Sequence, residues 1–402
     1  MKCIFRFLQA IVLLVLITTG AAAASQQELG ETEASITRGP TTTSSMDMSV
    51  AVTNADALSA EIAKAEAELN EKMRPFAGVY GAGFRDQNDI TVLHGGIYGG
   101  GTLWDALKLR LQAMTGQIHQ DAKGSRHETE VWRTAVSLGF VDLFVTPRFV
   151  LWGALGYENF QLQSSEGAIW RDSNGDLNSW LRTPMYRGYV VGGKLGLKYI
   201  FDNESEIGAE AKRESMWAEH DKYDTRLFNR ITDMTKMAPD LAVNKARIFT
   251  NIVTFPEHQL HLEGGLDSME DGNLRQWGYA HYQVPILWSR DKHWTVIRPN
   301  VYMESNTEDK PGYFSPYYHI TTGVMFHTIQ DFGFLEVEAE VNPQLLWTRD
   351  STKDGDTQEG IHGLLNIAYK YESLRIGVGV FAYTDTDGYW LNRGNFFLKY
   401  SF

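Results

Sequence analysis

The sequence has almost no cysteine and no long apolar stretch beyond its first residues. Its single cysteine, Cys3, lies near the start, so the rest of the chain has no thiol for a disulfide or a nucleophile. Past residue 24, no apolar run is long enough to cross a membrane as a helix. Basic residues are outnumbered, and the formal charge of −13 argues against nucleic acid as a partner.

The common enzyme motifs are also missing. The chain contains no G-x-S-x-G, no H-E-x-x-H and no phosphate-binding loop. His258 and His261 come nearest to a histidine cluster, but a spacing of three places them on opposite faces of a strand. We therefore expect no catalytic residue, metal or cofactor. An enzyme whose Ser and His are brought together by the fold stays open as an alternative.

Three segments precede the main domain. Residues 1–24 have the basic start, apolar middle and small-residue end of a secretory signal peptide. Residues 25–53 are rich in Ser, Thr, Glu and Gly, which predicts a disordered periplasmic linker. Residues 54–74 predict an amphipathic helix, because apolar residues recur there at helical spacing.

From residue 75 onward, apolar and polar residues alternate in short stretches separated by polar turns. In residues 335–342 every second residue is acidic or polar, and residues 297–304 and 374–382 divide in the same way. Period two is what a strand with one lipid face and one wet face requires. Residues 75–402 therefore predict an all-β fold, an antiparallel transmembrane β-barrel of about 16 strands, since an even number returns both ends to one side.

The end of the chain has the same alternation and stops on an aromatic residue. Phe396, Leu398, Tyr400 and Phe402 share one face. This pattern resembles the C-terminal strand that bacterial outer-membrane barrels present to their insertion machinery. The resemblance implies the outer membrane of a Gram-negative bacterium as location, with membrane lipid and the insertion machinery as partners.

Carboxylates on the polar faces of the predicted strands are candidate lumen residues. Glu336, Glu338 and Glu340 would be prohibitive against lipid, so they must face water. Together with Glu304 they predict a negative channel that suits a cationic cargo. The alternative is that Arg298 and other cations on neighbouring strands pair with them structurally.

Aromatic residues on a polar face give a second set of candidates. Trp277, Tyr279 and His281 alternate with small or polar residues along one predicted strand. Such rings can stack on the apolar face of a sugar, so they would guide a glycan chain through the lumen. An aromatic girdle at the membrane edge explains them equally well.

Two polar stretches interrupt the strand pattern. Residues 172–178 alternate Asp and Asn as a calcium loop does, but the Gly and Glu of that loop are not at their usual positions, so an ordinary polar loop is the alternative. Residues 213–246 are long, charged and rich in Met. We expect them at the outer rim or folded into the lumen.

A short motif lies between two predicted strands, with two aromatic residues in a rigid Gly/Pro frame. It consists of Gly312, Tyr313, Phe314, Ser315 and Pro316. This motif and the terminal strand resemble the C-terminal barrel of bacterial exopolysaccharide export porins, chiefly the cellulose-secretion subunit and more loosely the poly-N-acetylglucosamine exporter. The resemblance covers residues 274–402 and is weaker over 76–273.

The resemblance implies passive export of a growing polysaccharide through the barrel lumen. It gives the Gly/Pro motif a structural role at a loop beside the pore. The family usually has a tetratricopeptide scaffold before the barrel, which is missing here. We therefore expect a separate periplasmic scaffold protein and an inner-membrane glycosyltransferase complex as partners. A small-solute diffusion or uptake porin and a barrel enzyme or adhesin are the alternative functions.

Overall fold

The computed structural model describes residues 74–103, 107–121, 128–164, 185–217, 231–255, 257–289, 293–351 and 355–402. The predicted signal peptide, linker and calcium-like loop lie outside the described residues, as does all of the predicted helix except Arg74. Within the described residues, no helix is long and apolar enough to cross a membrane.

Sixteen antiparallel strands close into a transmembrane barrel, which confirms the predicted fold. Each strand pairs with its neighbours in sequence, and the first pairs with the last. The strands are β1 (Phe76–Asp86), β2 (Ile90–Leu103), β3 (Leu107–Gln120), β4 (Thr129–Thr146), β5 (Phe149–Ser164), β6 (Met185–Ile200), β7 (Glu206–Ser215), β8 (Ala242–Phe255), β9 (His258–Met269), β10 (Leu274–Ser289), β11 (His293–Asn306), β12 (Tyr318–Asp331), β13 (Leu335–Arg349), β14 (Asp356–Tyr371), β15 (Leu374–Asp385) and β16 (Trp390–Ser401).

The alternation in the sequence becomes an apolar outside and a polar inside. Leu155, Tyr189 and Ile248 are among the most exposed large side chains, and all three point outward. Lipid requires such an exterior, because it solvates apolar groups and offers no hydrogen bonds. His258 and His261 lie on opposite faces of β9, with His258 outside and His261 in the lumen.

The last strand closes the barrel. Phe76 of β1 lies opposite Ser401 of β16, and the amide of Phe402 donates a 2.8 Å hydrogen bond to the carbonyl of Pro75. The predicted outward set is exposed on the exterior: Phe396, Leu398, Tyr400 and Phe402. Phe397, which broke the alternation in the sequence, points into the lumen instead.

The two ends of the barrel differ in their connections. At the end where β1 begins and β16 finishes, the connections between strands are short. The shortest include 147–148, and the longest is 201–205. We call this the short-turn end. The other end, which we call the long-loop end, carries the longest connection, 216–241. Exposed aromatic pairs surround the short-turn end, including Tyr199 with Phe201, as expected for a membrane-interface girdle.

One boundary of the strand pattern predicted from the sequence is wrong. The stretch 213–246 is not irregular throughout, because β7 extends to Ser215 and β8 starts at Ala242. There, polar or small residues continue a strand whose partners supply the hydrogen bonds.

Candidate functional site

Aromatic rings line the lumen, and seven of them lie over a glycine of a neighbouring strand. A methyl group on Gly78 would be 2.5 Å from Cζ of Tyr98, and one on Gly100 would be 3.0 Å from the ring of Phe76. Seven lumen rings lie over glycine in this way: Phe76, Tyr80, Tyr98, Trp152, Phe249, Trp277 and Phe397. Each of these rings therefore packs close to the backbone, while the side chain stays partly exposed to the lumen.

The aromatic candidates on β10 all point into the lumen. Trp277 lies over Gly265, and its Nε1 donates a 3.0 Å hydrogen bond to Asp267. Tyr279 and His281 have ring centroids 5.4 Å apart, and His281 stacks on a histidine of β9 at 4.9 Å. This inward position differs from that of a membrane girdle, whose rings would face lipid.

A chain of hydrogen bonds crosses the lumen wall from β10 to β14. Arg298 donates to Gln283 at 2.8 Å and contacts Nδ1 of His327 at 3.1 Å. The other ring nitrogen of His327 lies 2.9 Å from Glu338, whose second oxygen accepts a hydrogen bond from Asn366 at 2.9 Å. Glu338 is thus held in a polar ladder and remains partly exposed to the lumen.

The other predicted carboxylates are paired as well. Glu336 forms ion pairs with Lys370 at 2.9 Å and with Arg375. Glu340 lies 3.0 Å from Nε2 of His362, and Glu304 accepts a 2.8 Å hydrogen bond from the hydroxyl of Tyr302. The structural-pairing alternative therefore describes this wall better than a row of free negative charges.

Glu304 and Glu340, two of the carboxylates predicted to line the substrate path, are buried in this structure. Glu304 is 4% exposed and Glu340 is 6% exposed, so neither offers a surface to a passing molecule. Both point inward as predicted. Their inward neighbours Asn342, next along β13, and His319, opposite Glu304 on β12, are buried as well. Glu336 and Glu338 lie closer to the short-turn end and stay partly exposed.

The lumen is packed with apolar side chains at the long-loop end. Inward residues of β1 to β6, such as Phe84, Val92 and Phe160, join one buried cluster. The connection between β7 and β8 adds six further members to that cluster: Met216, Trp217, Ile231, Met234, Met237 and Leu241. Residues 231–241, which we call the mouth segment, therefore fold into the barrel and fill its opening on this side.

Hydrogen bonds hold the mouth segment to the far rim. The side chain of Gln120, at the end of β3, accepts from the amide of Met234 at 2.8 Å and donates to the carbonyl of Asn88 at 3.0 Å. Asn88 in turn donates to the carbonyl of Ile231 at 3.2 Å. These contacts bridge residues far apart in the sequence, so they fix the position of the segment within the barrel.

The Gly/Pro motif holds the same segment from the opposite side. The carbonyl of Gly312 accepts hydrogen bonds from the amides of Thr232 and Asp233 at 3.0 and 3.2 Å, and Tyr313 forms an isolated β-bridge with Ile231. A methyl group on Gly312 would be 2.9 Å from the carbonyl oxygen of Lys236, so the backbones approach closely. The structure thus places the motif at the mouth, where it contacts the mouth segment.

Tyr313 is the buried centre of this contact. Its hydroxyl donates to Asp271 at 2.9 Å and accepts from Asn273 at 3.2 Å. Burial, together with the Asp271 carboxylate, raises the pKa of Tyr313 well above its ordinary value. Phe314 packs edge-on against His319 at 5.4 Å, and Ser315 and Pro316 are buried.

Comparison with known proteins supports the fold. No protein-family model matches this chain, and no curated protein is similar to it. A solved structure described as a "Bacterial polysaccharide outer membrane secretin" is similar with a TM-score of 0.53 and 12% identity, over 82% of this chain and 99% of that one. At such low identity the similarity shows the barrel architecture alone.

Two further solved structures share the barrel more loosely. CdiB from Acinetobacter baumannii has a TM-score of 0.47 and 9% identity, over 81% of this chain and 60% of that one. OprB of Pseudomonas putida has a TM-score of 0.38 and 8% identity, over 85% of this chain and 97% of that one. Neither similarity bears on function.

Of the seven lumen rings that lie over glycines, only Trp277 was a candidate from the sequence. The sequence does contain a pattern that indicates the others. Phe76, Tyr80 and Tyr98 occur in residues 76–101, which contain eight glycines. Glycine within a strand often marks a place where another group approaches the backbone closely. Pairing the glycines of one strand with rings on the next would have predicted these positions.

Proposed function

We propose that this protein is an outer-membrane channel through which a secreted polysaccharide leaves the cell passively. The observation that carries the proposal is the set of seven lumen rings that lie over glycines. A ring held against the backbone loses little entropy when a sugar packs against it, and the apolar face of a pyranose fits an aromatic plane. The outward apolar belt supports the membrane location.

The rings occur on two sides of the lumen, as a sliding chain requires. Phe76, Tyr98 and Phe397 belong to the wall formed by β16, β1 and β2. Trp152 of β5 and Phe249 of β8 lie on another wall, with ring centroids 6.3 Å apart. A glycan in the lumen would therefore have rings on both walls to stack on.

Gene deletion followed by complementation tests the proposal. Cells that lack the gene should lose surface polysaccharide, measured by binding of a sugar-specific dye, and the natural gene should restore it. Complementation with Trp152→Ala and Tyr98→Ala together should restore only a small part. Tyr189→Ala is the matched control, because that ring faces lipid. Unchanged surface glycan after deletion would rule the export role out.

A second candidate function is a channel for small solutes. The observation that favours it is the mouth segment, because an inward-folded segment narrows the opening and would pass small molecules only. Swelling of liposomes in isotonic disaccharide would support this candidate. Export requires instead that the mouth segment moves aside, and its partners would be the separate periplasmic scaffold and the inner-membrane glycosyltransferase complex expected from the sequence.

A further inference from the structure

Cations and aromatic rings alternate on the lumen wall at the short-turn end. The guanidinium of Arg110 lies 5.8 Å from the ring centroid of Tyr98, and Nζ of Lys399 lies 4.5 Å from that of Phe76. Arg375 lies 5.5 Å from the ring centroid of Phe397. We call these six residues the vestibule patch: Phe76, Tyr98, Arg110, Arg375, Phe397 and Lys399.

Strand register makes the patch continuous. Arg375 of β15 lies opposite Lys399 of β16, which lies opposite Gly78 of β1. Gly78 lies opposite Tyr98 of β2, and the tyrosine ring fills the space left by the missing side chain. Neighbouring strands are about 4.8 Å apart, so the cations and the ring are adjacent rather than scattered.

Positive charge exceeds negative charge around the patch. Among the described inward residues at this end of β1 to β3 and β12 to β16, five cations face three carboxylates. They are Lys108, Arg110, Lys370, Arg375 and Lys399, against Asp331, Glu336 and Glu338. Lys370 contacts Asp331 and Glu336, and Arg375 contacts Glu336. In the part of the chain that the structure describes, no carboxylate lies at ion-pair distance from Arg110.

We propose that the vestibule patch binds the carboxylate-bearing sugars of an anionic polysaccharide as the chain enters the lumen. The inference rests on the proposed export function and specifies its substrate class. Arg110 would pair with a sugar carboxylate, for which the planar guanidinium is well matched, and Lys399 would add a second positive charge. The rings of Phe76, Tyr98 and Phe397 would contact the C–H faces of the same sugars.

A cationic cargo, which the carboxylates of the predicted lumen face suggested, fits this wall poorly. The lumen carboxylates Glu336 and Glu338 already have cationic or hydrogen-bonding partners. A cationic sugar would have to displace those partners and would meet the positive excess of the patch. An anionic sugar instead finds Arg110 available and oriented over Tyr98.

Binding of defined oligosaccharides to the purified full chain tests the inference. Isothermal titration calorimetry in detergent micelles would compare oligogalacturonate, a neutral cello-oligosaccharide and a cationic chitosan oligomer of equal length. The variant Arg110→Gln/Lys399→Gln removes two cations of the patch. Arg85→Gln is the matched control, because Arg85 is exposed at the other end of β1 and lies 3.6 Å from Asp121. Retention of heat-modifiable migration on gels would show that each variant is folded.

We expect oligogalacturonate to bind the natural protein at least about tenfold more tightly than either other probe, and the affinity to fall with salt. The double variant should lose about tenfold for oligogalacturonate and little for the neutral probe. Equal or tighter binding of the chitosan oligomer, or an unchanged affinity in the double variant, would overturn the inference but leave the export proposal intact. Failure of every oligosaccharide to bind the natural protein would count against both.

Discussion

The two ends of the lumen are built in opposite ways, although the same strands form both. At the long-loop end, inward residues such as Ile90 and Phe160 are buried in a dry apolar cluster. At the short-turn end, inward residues such as Arg110 and Glu336 are charged and partly exposed. The mouth segment accounts for the difference between the two ends, because it covers one end with apolar side chains that pack on the inward residues of the wall.

The comparison teaches that strand alternation has two meanings within one barrel. An inward apolar residue implies a covering segment, since it would otherwise face water. An inward charged residue implies a wet lumen or a partner on the next strand. The first rule applies to Val92 and Val243, and the second to Glu263, which lies 3.4 Å from Arg247.

Ile231→Asp should have the largest effect on channel conductance, because it would remove the apolar cover that distinguishes the long-loop end from the short-turn end. Ile231 is fully buried under the rim. An uncompensated buried carboxylate costs about 3–5 kcal/mol, so the mouth segment should leave the lumen. Single-channel conductance in planar bilayers should rise several-fold. Lys236→Gln, on the exposed side of the same segment, is the control. An unaltered conductance for Ile231→Asp would mean that the segment does not close the channel.

Gly196→Ala should destabilise the barrel near the short-turn end by about 1–3 kcal/mol through overpacking. A methyl group there would overlap the indole ring of Trp152. Gly394→Ala is the matched control, because its nearest contact would be 4.0 Å away. Urea unfolding monitored by tryptophan fluorescence measures both. Equal stability of the two variants would show that the ring can move aside without cost.

Tyr313→Phe should loosen the mouth by about 1 kcal/mol at neutral pH, since it removes the hydroxyl contacts with Asp271 and Asn273. The pKa of Tyr313 is raised in the folded protein, so the native residue should also lose stability above about pH 10, where the unfolded chain ionises first. Hydrogen exchange of the mouth-segment amides at two pH values measures both effects. The alkaline loss should be smaller in the variant, and an identical loss would assign it to other groups.

Glu336→Gln/Glu338→Gln should give the smallest effect, a modest shift of the reversal potential toward anions. Both side chains are partly exposed at the wet end of the lumen, but both are paired. Glu340→Gln should leave selectivity unchanged, because that carboxylate is buried against His362. A shift caused by Glu340→Gln alone would show that the buried side is more open than described.

The fold could be predicted from the sequence because period two is a local property. In residues 335–342 and 374–382, the alternation assigns each residue to one face of the strand, and no knowledge of the paired strand is needed. The alternation of β2 is hidden in the sequence, because its glycines have no side chain that is apolar or polar. Their inward position becomes visible only when the rings of β1 are placed beside them. Pairing partners such as His362 for Glu340 depend on strand register, which no single stretch contains.

The closed mouth could not be predicted for a related reason. Residues 213–246 were expected at the rim or in the lumen, but the choice depends on contacts with Gln120 and Gly312, which are far away in sequence. The Gly/Pro motif at 312–316 was recognised as a rigid frame beside the pore. That it holds the mouth segment follows only from the three-dimensional contacts.

The pairing of β1 with β16 makes closure of the barrel depend on its last strand. β1 emerges from the ribosome first among the strands, yet its outer edge stays bare until β16 has been made. A chain cut short before Trp390 would expose unpaired backbone groups on β1 and β15, which lipid does not tolerate. Only a finished chain can therefore become a stable membrane resident, and a truncated one stays open to proteolysis.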